Sequence, residues 1–280
     1  MQTVAVGSLR VSRFILGGNP FSAISHQGEH VDRRMARHFT VQRIKDTLRQ
    51  AEGLGVNSFI GRADNHIIRV LLEYWEEGGA IQWLAQTCPE YGSLETSLDK
   101  AIYNGAKGCH IHGGIMDHLL HQRQLDDLPK AIATIRSGGL AAGIAGHNPE
   151  VFRWAEKHLD VDYYMCSYYN PSHRDERPGH DPNAAEWFLE EDRKTMTDLI
   201  QGLSRPVIHY KVLAAGRNDP KDGLRFAAGR MRPQDAVCVG VCGMDRPAML
   251  EEDVELLARF GQVRAGSGFG TGGESTAQPC

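Results

Sequence analysis

Two histidines stand two residues apart in the segment GCHIHGGIMDH, which spans residues 108–118. Side chains two residues apart on a strand point to the same face, so we expect His110 and His112 to share one face. Imidazole binds divalent metals and also moves protons near neutral pH. The segment therefore predicts an active-site strand end, and the alternative is a strand that carries its histidines for structural reasons.

A divalent-metal site is one chemistry that the histidines allow. Histidines in or directly after three apolar segments of the chain would supply its nitrogen ligands, which are His110, His112, His147 and His209. A carboxylate would complete the site, from Asp64, Glu90 or Asp117. Such a set suits Zn, Fe, Co, Ni or Mn. The alternative is that each imidazole is an ordinary hydrogen-bonded or exposed polar group.

Proton transfer is the second chemistry, and its candidate residues are His112, Lys211, Asp64, His66 and Tyr168. A lysine that points into a barrel mouth loses water, which favours the neutral amine. Lys211 would then serve as a Schiff-base nucleophile or a general base, with a counter-ion role as the alternative. Asp64 and His66 lie in GRADNH, which suits a polar substrate or is a solvated loop in which Asn65 caps a helix. Tyr168 would wall a sugar-sized pocket or lie at its rim.

Eight apolar runs alternate along the chain with segments of helical period. The predicted strands cover residues 13–18, 56–61, 81–86, 108–112, 140–146, 161–169, 206–216 and 236–242. Strict alternation favours a parallel sheet, and eight repeats favour a closed (β/α)8 TIM barrel of the α/β class. An open doubly wound sheet is the alternative, although no Gly-x-Gly-x-x-Gly follows the first strand. We expect one barrel domain over residues 1–264, a flexible Gly/Ser-rich tail over residues 265–280, and chemistry at the carboxyl ends of the strands.

Composition argues against several classes of function. A net charge of -4 and a pI near 6.3 give no electrostatic footprint for nucleic acid. No signal peptide is visible, and no stretch approaches the ~18 apolar residues that a membrane span needs. The six cysteines are scattered, as in a reduced cytoplasmic protein. The expected partner is a small polyhydroxylated or carbonyl compound, and the oligomeric state stays open.

Several of these segments resemble the aldo-keto reductase superfamily. TVAVGSLRVSRFILGGNPF is similar to the opening of that family, a small hairpin followed by the first barrel strand. GVNSFIGRADNH resembles its second-strand segment, and IHGG stands where the family carries a histidine at the end of strand four. YYNP and YKVLAAGR resemble segments of strands six and seven, and LEEDVELL resembles the start of the last helix. The resemblance runs through all eight repeats and implies a TIM barrel with an N-terminal β-hairpin.

The resemblance implies a diverged member, because three positions of the catalytic tetrad hold other residues. The family's Asp falls on Ile60 or Gly61, its Tyr near His66, and its Lys on Thr87 or Cys88. Its His is kept as His112. Loss of the Tyr and Lys together removes the proton donor of the usual carbonyl reduction and the group that tunes it.

The resemblance also implies positions that would hold NADP. Asn148 falls where the family binds the nicotinamide carboxamide, and Tyr210 where a tyrosine stacks on the nicotinamide ring. Arg246 is the candidate contact for the 2′-phosphate.

Three hypotheses for function follow. The first is a barrel enzyme that transfers protons on a small sugar-like or carbonyl compound, an isomerase, epimerase or lyase with a metal as an option. The second is an NAD(P)H-dependent carbonyl reductase in which His66 or Tyr168 replaces the missing tyrosine. The third is a barrel that binds a small molecule without catalysis.

Overall fold

The structure, a computed structural model, describes residues 1–172, 177–179 and 185–266. In this part of the chain an antiparallel hairpin, β1 (Thr3–Val6) and β2 (Leu9–Ser12), precedes eight parallel strands. These are β3 (Phe14–Gly17), β4 (Ser58–Arg62), β5 (Gln82–Gln86), β6 (Gly108–Ile111), β7 (Ala141–Gly146), β8 (Tyr163–Ser167), β9 (Val207–Tyr210) and β10 (Ala236–Gly240). Each strand pairs with the next and β10 pairs with β3, which closes the sheet. The predicted TIM barrel and its hairpin are confirmed.

Helices connect the strands. They are α1 (Glu29–His38), α2 (Val41–Gly53), α3 (Asn65–Glu76), α4 (Leu94–Tyr103), α5 (Gly113–Gln122), α6 (Leu128–Ser137), α7 (Pro149–His158), α8 (Glu190–Ile200), α9 (Pro220–Arg230) and α10 (Met249–Gly266). Among the helices of the described ranges, none combines the length and the apolar character that a membrane crossing requires. The predicted tail overlaps the end of α10 at residues 265–266, and its remainder, 267–280, lies outside the described residues.

Polar side chains fix where several helices begin. Asn148 accepts a hydrogen bond from Glu150 N at 3.0 Å, and Pro149 is the first residue of α7. At α3 the cap is Asp64 rather than the expected Asn65, because Asp64 Oδ1 accepts from Ile67 N at 2.9 Å. A cap of this kind stabilises a helix by about 1 kcal/mol.

The barrel has an inner and an outer apolar layer. Inward side chains such as Ile15, Leu84 and Met165 fill the barrel together with Val6 and Val11 of the hairpin. The hairpin is tied to the amino ends of the strands, since the Gln82 side chain donates to Arg10 O at 3.0 Å. The second layer packs between the strands and the surrounding helices. Chemistry is therefore left to the carboxyl end of the barrel.

A buried polar network joins β9 to β10 in the outer layer. Asp235 accepts from Val207 N at 2.9 Å and from Arg232 N at 2.8 Å, and it lies 3.2 Å from His209 Nε2. His209 Nδ1 lies 3.0 Å from the Tyr168 hydroxyl, so both ring nitrogens have partners. Burial raises the pKa of Asp235, but hydrogen bonds from His209 and Arg232 outweigh it and bring that pKa to about 2. The network holds the strands together where the β9–β10 ladder is short.

We expect Asp235→Asn to lower the free energy of unfolding by about 3 kcal/mol at pH 7, because it leaves Arg232 and two amide donors poorly paired. Since the folded pKa lies below the ordinary value of 3.8, this contribution is present above that pH and is lost as pH falls toward 2. Urea unfolding measures the change. Asp99→Asn on the exposed face of α4 is the control, and an equal effect of the two substitutions would contradict the assignment.

Candidate active site

A cleft of about 920 Å³ opens at the carboxyl ends of the strands. Loops that follow all eight barrel strands, β3 to β10, contribute to its walls. Among the predicted catalytic residues, four line it: His112, Lys211, Asp64 and His66. The position is the one that a parallel barrel uses for chemistry.

Tyr168 lies elsewhere. It is fully buried on the outer face, where it contacts His209 and packs edge-on against Phe226 of α9. Burial raises its pKa well above the ordinary value. The prediction that Tyr168 walls the pocket or replaces a catalytic tyrosine is therefore wrong, and the reason is that the chain leaves β8 at Ser167 with the next side chain turned toward the helices.

His112 is the N-cap of α5, which constrains its imidazole. Its Nδ1 accepts a hydrogen bond from Gly114 N at 3.1 Å, and its own amide donates to Thr87 Oγ1 at 2.9 Å. An accepting Nδ1 carries no proton, so in the neutral ring the hydrogen is on Nε2. His112 is thus a hydrogen-bond donor at the edge of the cleft, held in one tautomer by the start of α5.

Asp117, His147 and Tyr210 form a hydrogen-bonded relay that ends in the cleft. Asp117 of α5 accepts from His147 Nδ1 at 2.7 Å and from the amides of His147 and Asn148. His147 Nε2 lies 3.2 Å from the Tyr210 hydroxyl, which also lies 3.3 Å from Gly146 O. Asp117 and His147 are buried, and both His147 and Tyr210 line the cleft. With its hydrogen on Nδ1, His147 presents Nε2 as an acceptor, and the tyrosine proton is shared between this nitrogen and Gly146 O.

Gly113 makes room for this relay. A Cβ on Gly113 would stand 2.9 Å from the Tyr210 hydroxyl and 3.0 Å from His147 Cε1. Such contacts are too short for a side chain, so glycine is required here for the close approach. The first glycine of the pair in GCHIHGGIMDH therefore serves the packing of the site.

A second relay joins Glu186, His26 and Lys211. The Glu186 carboxylate oxygens lie 2.8 and 3.0 Å from His26 Nδ1, and His26 Nε2 lies 2.9 Å from Lys211 Nζ. Lys211 has a left-handed backbone with φ of 55°. That conformation ends β9 at Tyr210 and breaks the alternation, so Tyr210 and Lys211 both line the cleft although they are adjacent.

Asp64 and Glu90 hold a further cation at a strand end, Arg62. Arg62 donates to Asp64 Oδ2 at 2.9 Å and also pairs with Glu90. The Arg62 side chain is 12% exposed, so its charge is balanced close to the cleft by two carboxylates. Asp64 serves here as a helix cap and an arginine partner at once.

The four histidines predicted to bind a metal are not brought together. His209 faces the helices, because its neighbours Ile208 and Tyr210 face the barrel interior. His110 lies inside the barrel with Nδ1 3.1 Å from the Tyr163 hydroxyl, and His147 is engaged by Asp117 and Tyr210. Across residues 1–172, 177–179 and 185–266 no three His, Cys, Asp or Glu side chains gather as a metal site would require. The prediction that His209 is a metal ligand beside the other three histidines is wrong, and this ligand set does not fit a metal.

The residues predicted to hold NADP have separate positions. Tyr210 lines the cleft, Asn148 caps α7, and the partly exposed Arg246 pairs with Glu252. Of these three residues Tyr210 lines the cleft and Asn148 and Arg246 do not, so NADP binding stays a prediction.

Two members of the relays, His26 and Glu186, were not identified from the sequence. His26 lies in a loop between β3 and α1 that reads SAISHQG, and Glu186 follows residues 180–184, which the structure does not describe. Neither follows a strand end directly, so the rule that ranks strand-end residues passes over both.

Comparisons with known proteins agree with the fold. A crystal structure from Pseudomonas aeruginosa, of a protein assigned as an aldo-keto reductase, has 17% sequence identity to this chain and a TM-score of 0.61. The match covers 92% of this chain and 95% of that one. The holo form of an aldo-keto reductase from Bacillus halodurans has 12% identity and a TM-score of 0.60, with 94% of each chain covered. A truncated 3-deoxy-D-arabino-heptulosonate 7-phosphate synthase from Thermotoga maritima has 11% identity and a TM-score of 0.58, covering 95% and 92%.

No protein-family profile matches the chain, and no curated protein does. At these identities the structural likeness shows a shared barrel fold, which confirms the resemblance to aldo-keto reductases at the level of the fold.

The buried His110 gives a test of the barrel interior. Burial lowers its pKa from 6.5 to about 3, so the unfolded chain binds this proton first and stability falls as pH drops below 6.5. We expect His110→Gln to make the fall in unfolding free energy between pH 6 and pH 4 shallower by about 1.4 kcal/mol per pH unit. Urea unfolding at several pH values measures this slope. Equal slopes for the two proteins would show that His110 is protonated in the folded barrel.

Proposed function

We propose that this protein is an enzyme that transfers a proton on a small carbonyl or polyhydroxylated compound bound at the barrel mouth. The reaction class is that of an isomerase, epimerase or lyase. One observation carries the proposal: two carboxylate–histidine relays end on adjacent proton-carrying groups, Tyr210 and Lys211, that line the same cleft.

The Tyr210 relay has the parts that general acid–base catalysis needs. As the tyrosine oxygen takes a proton from the substrate, its own proton passes to His147 Nε2, 3.2 Å away. Asp117, hydrogen-bonded to the far side of the ring, stabilises the imidazolium that forms. The reverse movement returns the proton to a neighbouring carbon or oxygen. A positioned acid–base group of this kind contributes about 10²–10⁴-fold in rate.

The rest of the cleft suits a polar substrate of modest size. Its volume of about 920 Å³ is within the range of small-molecule sites. His112 offers a hydrogen-bond donor to a carbonyl oxygen, and Arg62, Asp64 and Glu90 provide a fixed polar wall. Polyhydroxylated compounds are recognised by such side chains.

The proposal differs from carbonyl reduction of the aldo-keto reductase type. The position of that family's Asp holds Ile60 or Gly61, and the position of its Lys holds Thr87 or Cys88. Thr87 is buried, and its hydroxyl oxygen accepts a hydrogen bond from the His112 amide. None of these four residues is a carboxylate or an amine, so the groups that accompany the family's proton donor are not supplied at these positions. The reaction proposed here transfers protons and requires no hydride donor.

The first test is hydrogen exchange with solvent. Incubation in D2O with a panel of trioses, pentoses, hexoses and 2-oxo acids is expected to introduce deuterium next to the carbonyl of at least one compound, seen by NMR. Tyr210→Phe is expected to lower that rate about 10²–10⁴-fold, because the hydroxyl of the relay is lost. Tyr103→Phe on the surface, where Tyr103 is 81% exposed, is the matched control.

Elemental analysis and a titration with NADPH belong beside that test. Oxidation of NADPH with reduction of the carbonyl compounds, and no deuterium exchange, would contradict the proposal in favour of a reductase. Tight binding of a panel compound with neither reaction would favour a binding protein.

His112 allows a sharper test of its role. Asn is a good N-cap, so His112→Asn keeps the start of α5 and removes the imidazole, whereas His112→Ala removes both. We expect both variants to lose exchange activity at least about tenfold. The Ala variant is also expected to lose about 1 kcal/mol of stability relative to the Asn variant, measured by thermal unfolding. Full activity in the Asn variant would restrict His112 to a capping role.

A further inference from the structure

The surroundings of Lys211 carry an inference that rests on the proposed function and extends it to a covalent step. Lys211 Nζ lies 2.9 Å from His26 Nε2, and His26 Nδ1 lies 2.8 Å from the nearer oxygen of Glu186. The His26 and Glu186 side chains are only 10% and 6% exposed. A nucleophile, a base within hydrogen-bond reach, and a third group that orients the base form the arrangement that activates nucleophiles in enzymes.

The protons of this triad can be assigned from its hydrogen bonds. A carboxylate only accepts, so Glu186 requires a proton on His26 Nδ1. His26 Nε2 then presents its lone pair to Lys211, whose ammonium group only donates. A proton that moves from Nζ to Nε2 leaves a neutral amine, and the resulting imidazolium lies against the Glu186 carboxylate. In this triad His26 can accept the proton that Lys211 must lose before it attacks a carbonyl.

The backbone holds this triad in place. His26 and Lys211 are both left-handed, with φ of 58° and 55°. The loop of His26 is tied to the segment after Lys211, since Gln27 Nε2 donates to Ala215 O at 2.7 Å and Arg217 donates to His26 O at 2.9 Å. Residues with a strained backbone that surrounding hydrogen bonds hold in place are typical of functional sites.

We propose that Lys211 forms a protonated imine with an aldehyde or ketone substrate, with His26 as its base and Glu186 as the positioning residue. The Lys211 ammonium gives one proton to His26, and the freed lone pair forms the C–N bond while the carbonyl π pair moves to oxygen. A proton passes from nitrogen to that oxygen and gives a carbinolamine.

The His26 imidazolium then protonates the hydroxyl, which leaves as water as the C=N bond forms. In sum, an ammonium and a carbonyl give a protonated imine and water, with no change of oxidation state. The protonated imine draws electrons from the neighbouring carbon, which is the carbon that the proposed proton transfer must deprotonate. The substrate class is therefore aldehydes and ketones, and acids or esters without such a carbonyl are excluded.

The test uses 2,4-pentanedione, a 1,3-diketone whose imine with an unprotonated lysine rearranges to a stable enaminone that absorbs in the near ultraviolet. At pH 7 we expect Lys211 to be labelled at least about tenfold faster than exposed Lys157, as measured by absorbance and peptide mass mapping. Labelling of Lys211 no faster than Lys157 would overturn the proposal. Lys211→Arg, which keeps the charge, must lose the band.

Variants of the base test its role apart from folding. His26→Asn suits a left-handed position and is expected to slow labelling of Lys211 about 10–100-fold at pH 7. The rate should recover as pH is raised toward 10, because a lysine then loses its proton to solvent. A role in structure alone would give no such recovery. Glu186→Gln is expected to act in the same direction, since the amide no longer compels a proton onto Nδ1.

The two proposals fail separately. Deuterium exchange without selective labelling of Lys211 would leave the proton-transfer function standing and overturn the imine. Selective labelling with no exchange in the whole panel would support the reactive lysine and contradict the proposed function. Borohydride reduction with any compound that exchanges is expected to add that compound, less one oxygen, to Lys211.

Discussion

Side chains of a barrel strand alternate between the interior and the helix layer, and the left-handed backbone at Lys211 interrupts that alternation at one point. On β9 the rule places His209 among the helices and Tyr210 in the cleft. Regular alternation would next send the lysine outward. Because the strand stops at Tyr210, two neighbouring residues face the same cavity, each linked through a histidine to a carboxylate. The chemistry proposed for the mouth depends on this break.

The fold could be predicted from the sequence because its causes are local and repeated. Eight apolar runs, each followed by a segment of helical period, leave few architectures other than a closed parallel barrel. The helix caps Thr40 and Asn148 have equally local causes, because each accepts a hydrogen bond from an amide two or three residues further along the chain. At α3 the cap is Asp64 and not the adjacent Asn65. Aspartate and asparagine are about equally good N-caps, so the sequence alone does not decide between two neighbouring positions.

The site was predicted only where a strand end marks it. His112, Lys211, Asp64 and His66 follow strands and do line the cleft. His209 and Tyr168 misled because both stand near strand ends but on the outward face, and the register that decides this comes from pairing with neighbouring strands. His26 and Glu186 reach Lys211 from loops that no periodic pattern locates. The sequence offers Asp117 as one of three carboxylates for a metal site, whereas in the structure Asp117 orients His147.

The left-handed residues around Lys211 have a bearing on selectivity. His26, Lys211, Ala214 and Ala215 all carry positive φ without being glycine, and each such residue costs about 1 kcal/mol or more. This backbone is already fixed in the folded protein, so we expect substrate binding to cost little further backbone entropy in this wall of the cleft. A cleft wall that is already ordered binds molecules that match its shape more tightly than molecules that require it to change conformation. We therefore expect a narrow range of substrates, discriminated by shape.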